Sequence, residues 1–332
     1  MSNSKFISDE FDLAYDDVLI NPVFSTIISR FGSDVNPYYE GKLPVVSAPM
    51  DSIVCKKFSE ATKDKIYAVF SHRFQTKEKQ IQDLKDGANG AVICLQTPDE
   101  EILEYLENGA KHILLDVANG GNIAVVEKLD DIQWVREKAK LWAGNVANGL
   151  SYFHLRELCD FVRVGIGNGA ACSTKIQTSC GRSSLSSILE CAEFYHEGFA
   201  KIVADGGIKQ NGHICTALAA GAHLVMLGSR FASCEESASE LVIGDRCNYK
   251  KYRGMASREV NEEAGKQNFS VEGESGLIPC IGSVSEMLSQ IDANLRSSMS
   301  YVNARTLNEF SSNAKFVRIS QNATNENKTI FR

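Results

Sequence analysis

Proline is scarce in this chain, six residues among 332. No Gly-, Ser- or Pro-rich stretch interrupts it either, which excludes a disordered polymer or a string of loosely linked modules. No apolar run reaches the roughly 18 residues that a bilayer-spanning helix needs, so no membrane association is expected. The start, MSNSKFISDEFDLAYDD, has no basic opening and no apolar core, so no secretory signal is expected. The six histidines are scattered, and none pairs with a carboxylate or thiol at zinc-ligand spacing. Positive charge is also short. The formal net charge of −7 argues against a nucleic-acid binder.

Cysteine is plentiful, with ten residues, but none forms a C-x-x-C pair. The chain is far too long for a disulfide-stapled miniprotein, so a reduced, cytoplasmic setting with mostly buried thiols is expected. In that setting the Asn-x-Ser/Thr triplets at Asn268, Asn322 and Asn327 are chance occurrences.

What is present is a rhythm. Eight short apolar runs lie at 43–51, 66–71, 91–95, 112–120, 141–146, 161–169, 201–207 and 224–229. Helix-like stretches separate them, among them 77–87, 99–110, 183–198 and 211–222. Each run is nearly continuous in hydrophobicity, the pattern of parallel strands covered on both faces. Eight such units predict a single (β/α)8 barrel, an α/β fold, over residues 1–332. Small or polar residues follow nearly every run, and in a barrel these gather at one mouth. Residues 230–282 break the rhythm and read as an active-site loop insertion after the last strand. Residues 283–310 supply a closing helix, and 311–332 read as a polar C-terminal tail apart from FVRI.

Four stretches could carry chemistry. VGIGNGAACSTK places Gly165, Gly167 and Gly169 directly after a strand, where backbone groups can approach an ion or phosphate; a tight strand-to-helix turn explains the same glycines. Cys172 follows in a polar loop rather than an apolar run, so a nucleophile and a structural thiol both stand as readings. KIVADGG ends a strand on Asp205, suited to vicinal sugar hydroxyls or to capping the next helix. VMLGS ends the eighth run on Gly228 and Ser229, where barrels commonly hold phosphate. HILLDVANG offers Asp116 and Asn119 to a substrate amide or a nicotinamide, or simply forms a capped turn.

The ordered motifs SAPMD, LDVANG, AGNV, VGIGNGAACSTK, ADGG, VMLGS, YRGMAS, VEGESGLIP and FVRIS resemble the IMP dehydrogenase and GMP reductase family from about Phe11 to Ser320. The resemblance implies a (β/α)8 barrel assembled as a homotetramer. The chain passes directly from its second helix to GAVICL with no room for CBS modules, and 256–271 contains no Arg-Tyr pair of the kind the dehydrogenase flap uses. Together with LDVANG and SYVNA, these features look more like the reductase, whereas SAPMD and YRGM look more like the dehydrogenase. The reading is a GMP reductase-like oxidoreductase that uses NADPH. Two alternatives stand beside it. One is an IMP dehydrogenase lacking CBS modules, for which Arg258 or Lys266 would have to activate water. The other is a related enzyme, or a binding paralogue, for a modified purine nucleotide.

The resemblance also implies roles. Cys172 matches the nucleophile that forms a thioimidate at purine C2, with Thr174 and Glu272 as the proton-handling dyad. Asp205 matches the ribose ligand, and Gly206, Gly207, Gly228, Ser229 and Tyr252 match the phosphate surroundings. Gly254, Met255, Ala256 and Gly273 match the base-binding stretch. Asp116, Val117 and Ala118 match the nicotinamide side, and Ser29 and Arg30 match residues that reach a neighbour's cofactor. The carbonyls of Gly167, Gly169 and Cys172 match a monovalent cation site, usually potassium. The chain departs from the family at Asn168, where proline is usual, and at Ala170, where a phosphate-binding serine is usual. Gly181-Arg182-Ser183-Ser184 replaces a Gly-x-Pro-Gln pattern, and Phe269 aligns with a reductase arginine. Arg182 is the charge expected to compensate at Ala170.

Overall fold

The computed structural model describes residues 11–326 apart from positions 33, 73, 246, 264 and 266–269. All eight expected runs form strands: β1 (Leu43–Ser47), β2 (Ile66–Ala68), β3 (Gly90–Ile93), β4 (His112–Asp116), β5 (Lys140–Val146), β6 (Phe161–Val164), β7 (Lys201–Asp205) and β8 (Leu224–Leu227). Neighbours pair in parallel in the order β2-β1-β8-β7-β6-β5-β4-β3. A parallel bridge between Phe70 and Gly90 joins the two ends, so the sheet closes as a (β/α)8 barrel. Gly90 is needed at that seam, because a Cβ there would stand 2.4 Å from the Phe70 ring.

The strands are buried along almost their whole length, as parallel strands roofed by helices must be. Inside the barrel, Trp142 stacks on Phe161 with ring centroids 4.0 Å apart. Its indole N–H donates to His112 Nδ1 at 3.2 Å, which satisfies a buried donor. The four helical stretches read from periodicity form Lys77–Lys85, Asp99–Glu107, Ser184–Glu193 and Asn211–Ala219. Acidic residues fill the first turn of Asp99–Glu107, where the helix dipole favours them. No described helix is long and apolar enough to cross a membrane.

Two segments are more ordered than their polarity suggests. The insertion 230–282 contains a three-stranded antiparallel sheet, Leu241–Val242, Tyr249–Arg253 and Ser275–Pro279, with a short helix Arg258–Glu263. The segment expected as a tail is only partly one. Phe316–Arg318 pairs antiparallel with Val18–Ile20, and the helix Leu307–Asn313 precedes it. Both strands are short and half-exposed, so neither has the apolar alternation that would announce it.

Candidate active site

Four consecutive strands place polar side chains on the floor of one mouth. Asp116 ends β4, Asn145 lies near the end of β5, Arg163 is on β6, and Asp205 ends β7. Arg163 is buried and bridges the two carboxylates, with Nη1 donating to Asp116 Oδ1 at 2.5 Å and Nη2 to Asp205 Oδ2 at 2.8 Å. Asn145 Nδ2 donates to the same Asp205 oxygen at 2.6 Å. Burial alone would weaken the Arg163 charge, but Asp205 and Asp116 outweigh it and hold the guanidinium above its ordinary range. The bonds from Arg163 Nε, Arg163 Nη2 and Asn145 Nδ2 all converge on Asp205 Oδ2, so none of them occupies Oδ1.

The loop after β6 turns sharply at Gly165, whose φ is +143° and whose Cβ, if present, would lie 1.9 Å from the Asp205 carbonyl oxygen. Only glycine fits there. The loop carries Cys172 to a position where its Sγ donates to Thr174 Oγ1 at 3.2 Å, and Thr174 Oγ1 in turn donates to Glu272 Oε2 at 2.7 Å. Glu272 comes from the insertion. Its placement is fixed by backbone bonds: Ser173 N–H to the Glu272 carbonyl at 2.8 Å, Glu272 N–H to Ala256 at 3.1 Å, and Glu274 N–H to Ala171 at 2.9 Å. Cys172 and Gly273 form an antiparallel bridge. Glycine is required at 273 because a Cβ would press to 2.8 Å on the Ser257 nitrogen. Arg253 ties the insertion to the barrel, donating to Asp51 after β1 at 2.8 Å and clamping Glu263 with both terminal nitrogens.

These residues surround a cavity of about 270 Å³. Its lining brings together Cys172, Thr174, Glu272, Asp205, Gly206, Tyr252, Gly254, Met255, Ala256, Asp116, Val117, Ala118, Gly167 and Gly169. Gly228 lies just behind, facing the Tyr252 hydroxyl and Met50, and Ser229 opens the short helix Ser229–Ala232. Gly207 packs against Ser184. Tyr252 is buried, and its hydroxyl donates to Met50 Sδ at 3.7 Å; burial, with Asp205 and Cys172 nearby, keeps the phenol neutral.

Several expected residues are elsewhere or otherwise engaged. Ser29 and Arg30 are exposed, and Arg30 donates to Ser297 on the helix Val284–Tyr301, outside this cavity. Asn119 caps its own turn by accepting from Gly121 N–H, as the capped-turn reading has it. Arg182 does not compensate at Ala170: it pairs with Asp12 and Glu190 and is not in the cavity lining. Arg258 pairs along its helix with Glu262, also off the cavity, whereas Lys266 and Phe269 lie outside the described residues. Met50 and Asn145 lie in the SAPMD and AGNV motifs, whereas Arg163 joins the site without having stood out in the sequence, although it is a lone charge inside the apolar run FVRV.

Among the described residues no group of three or more His, Cys, Asp or Glu could hold a metal ion. A cation at Gly167, Gly169 and Cys172 would therefore rest on carbonyls alone. That loop already contains an ammonium: Lys175 Nζ donates to Asn168 Oδ1 at 2.5 Å, between the two glycines.

A thiol hydrogen-bonded through a hydroxyl to a carboxylate at the mouth of a (β/α)8 barrel is an arrangement that can activate a cysteine as a nucleophile. The chain belongs to the IMP dehydrogenase / GMP reductase domain family, which it matches over residues 12–329. It is similar to a protein named GMP reductase from Shewanella halifaxensis (strain HAW-EB4), 30% identical over 340 positions that cover 96% of this chain and 98% of the relative. A protein of the same name from Vibrio vulnificus (strain YJ016) is 29% identical over the same coverage.

Proposed function

We propose that the chain is a GMP reductase that converts GMP and NADPH to IMP, ammonia and NADP. The observation that carries this reading is the unbroken relay Cys172–Thr174–Glu272, with links of 3.2 and 2.7 Å.

An exocyclic amine on a purine is a poor leaving group until it is protonated, so the site needs a nucleophile and an acid at one carbon. The relay supplies both. As Cys172 gives up its proton, Thr174 passes it to Glu272, leaving a thiolate beside a protonated carboxyl. The sulfur then adds to C2, and Glu272 returns the proton through Thr174 to the departing nitrogen. Ammonia leaves and a Cys172 thioimidate remains. NADPH supplies the hydride for C2, and the chain's own part is to position it on the Asp116–Ala118 side of the cavity. The thiolate leaves as IMP forms and takes up one proton from solvent, which restores the resting Cys172 thiol and balances the reaction. No water attacks, so no water-activating group is needed in 257–271.

For binding, Asp205 accepts from ribose hydroxyls while Arg163 and Asn145 fix its other oxygen. The phosphate lies toward Gly206, Gly207, Gly228 and Ser229. The Met255–Ala256 backbone meets the base edge. The Ser29–Arg30 segment reaches a neighbour's cofactor in a homotetramer, and the enzyme acts in the cytoplasm.

The test is the absorbance of reduced nicotinamide with GMP and NADPH, run in parallel with IMP and NAD. Loss of signal with GMP that Cys172→Ala abolishes is the expected result. A gain with IMP would make the chain a dehydrogenase instead. Silence in both, with nucleotide still bound, would point to a modified purine or a binding role.

A further inference from the structure

The family resemblance implies a monovalent metal ion on the carbonyls of Gly167, Gly169 and Cys172, yet the loop that offers those carbonyls carries a cation of its own. Lys175 Nζ donates to Asn168 Oδ1 at 2.5 Å, seven residues back along the chain. The contact closes the nucleophile loop into a ring with Cys172 inside it. Within that ring Cys172 N–H donates to the Gly169 carbonyl at 3.0 Å.

The lysine does not reach Asn168 through open solvent. Its stem runs between two glycines. A Cβ built on Gly167 would stand 2.6 Å from Lys175 Cγ, and one built on Gly181 would stand 2.8 Å from the same atom. Both glycines have positive φ, +78° and +142°. The backbone is therefore shaped on both sides to admit this side chain.

Asn168 is oriented by the contact as well. Its Nδ2 is buried without a hydrogen-bond partner, so the bond from Lys175 to Oδ1 is what selects the way the amide faces. A flipped amide would set its NH₂ against the ammonium.

Carbonyls gathered in a tight glycine loop repel one another, and a nearby positive charge relieves that repulsion. A metal ion does so only while bound. A tethered ammonium does so permanently, and it disfavours a second cation beside it. We infer that Lys175 is the resident cation of the Cys172 loop and that the chain needs no added monovalent metal ion to order that loop.

The test is alkylation of Cys172 by iodoacetamide, read on its own peptide by mass spectrometry. Rates are compared in potassium chloride and in N-methylglucamine chloride of equal ionic strength. The intact protein, Lys175→Arg and Lys175→Met are run together, each with a melting curve. The intact protein and Lys175→Arg should react within about two-fold of the same rate in the two salts. Lys175→Met should differ about ten-fold between salts, the scale of one lost charge contact, and ammonium chloride should restore it as potassium does. Any general change in thiol reactivity cancels in the ratio between salts. If Lys175→Met does not fold, Asn168→Ala, which removes the acceptor and keeps the lysine, should also acquire salt dependence. The inference is overturned if the intact protein itself depends severalfold on potassium. It is equally overturned if the folded variants show no more salt dependence than the intact protein. Because the readout is thiol chemistry, either outcome holds whether or not GMP is the substrate.

Discussion

Thr174 Oγ1 donates to Glu272 Oε2 at 2.7 Å across a sequence separation of 98 residues. The barrel supplies the first residue and the insertion the second, so this hydrogen bond exists only when the insertion is docked. Glu272→Gln keeps the shape and the backbone bonds but cannot take up the Cys172 proton. Turnover should fall by about 10²- to 10⁴-fold, the usual worth of a positioned acid or base. Thr174→Val should fall within the same range. Steady-state rates of NADPH oxidation, with melting curves to show intact folding, check both. Near-normal turnover in Glu272→Gln would remove the relay from the mechanism.

Arg163 holds two carboxylates that are themselves largely buried. Arg163→Met deletes the charge between Asp116 and Asp205 and leaves both without it. Breaking a buried pair in this way costs about 3–5 kcal/mol, and denaturant titration should show a loss of that size. Asp116→Asn in the same background should recover part of it, because one of the stranded charges is then gone. Recovery of nothing would mean that the two carboxylates do not depend on Arg163 in common.

The barrel is legible in the sequence because parallel strands under helices must be apolar on both faces, and all eight such runs are bounded by turn residues. The glycine-rich turn after β6 is legible for a similar reason, since only glycine admits the approach of Gly165 to Asp205. The rest depends on partners distant in the chain. Leu241–Val242 is too short and Tyr249–Arg253 too polar to announce a sheet, and Val18–Ile20 meets Phe316–Arg318 from the opposite end of the chain. Glu272 is one acidic residue among many in the insertion, and nothing in its spacing from Cys172 reveals that the two are linked by hydrogen bonds through Thr174. Only the family resemblance distinguishes it in the sequence, and the fold then sets it beside Thr174.

Gly165→Ala tests how tightly the loop is held to β7. The added Cβ would fall 1.9 Å from the Asp205 carbonyl oxygen, at a φ of +143° that alanine resists. Backbone cannot yield as a side-chain tip can, so either the loop or Asp205 must move. A loss of about 1–3 kcal/mol in stability is expected from strain of this kind. Nucleotide affinity should fall with it, because Asp205 and Cys172 sit on the two sides of the contact. Calorimetric melting and nucleotide titration measure the two effects separately. Unchanged values for both would mean that the turn is far more pliable than its geometry implies.

Acid should destabilise the fold through the buried His112 and the half-buried His223. His112 accepts from Trp142 and His223 accepts from the Ile202 N–H, so each must be neutral to keep its bond. Burial, reinforced by neighbouring lysines, pushes His112 down to about 3 and His223 down to about 4, from an ordinary value of 6.5. A group whose folded value is depressed binds fewer protons in the native state than in the unfolded chain. Its stabilising effect is therefore complete above about pH 6.5 and is lost as the pH falls toward the folded values. At about pH 5 the loss is about 2 kcal/mol for each histidine. Denaturant unfolding followed from neutral pH to pH 5 should show this decline. His112→Asn retains an acceptor for Trp142 but cannot titrate, so it should flatten the decline by about half. An unaltered slope in that variant would assign the acid sensitivity to other groups.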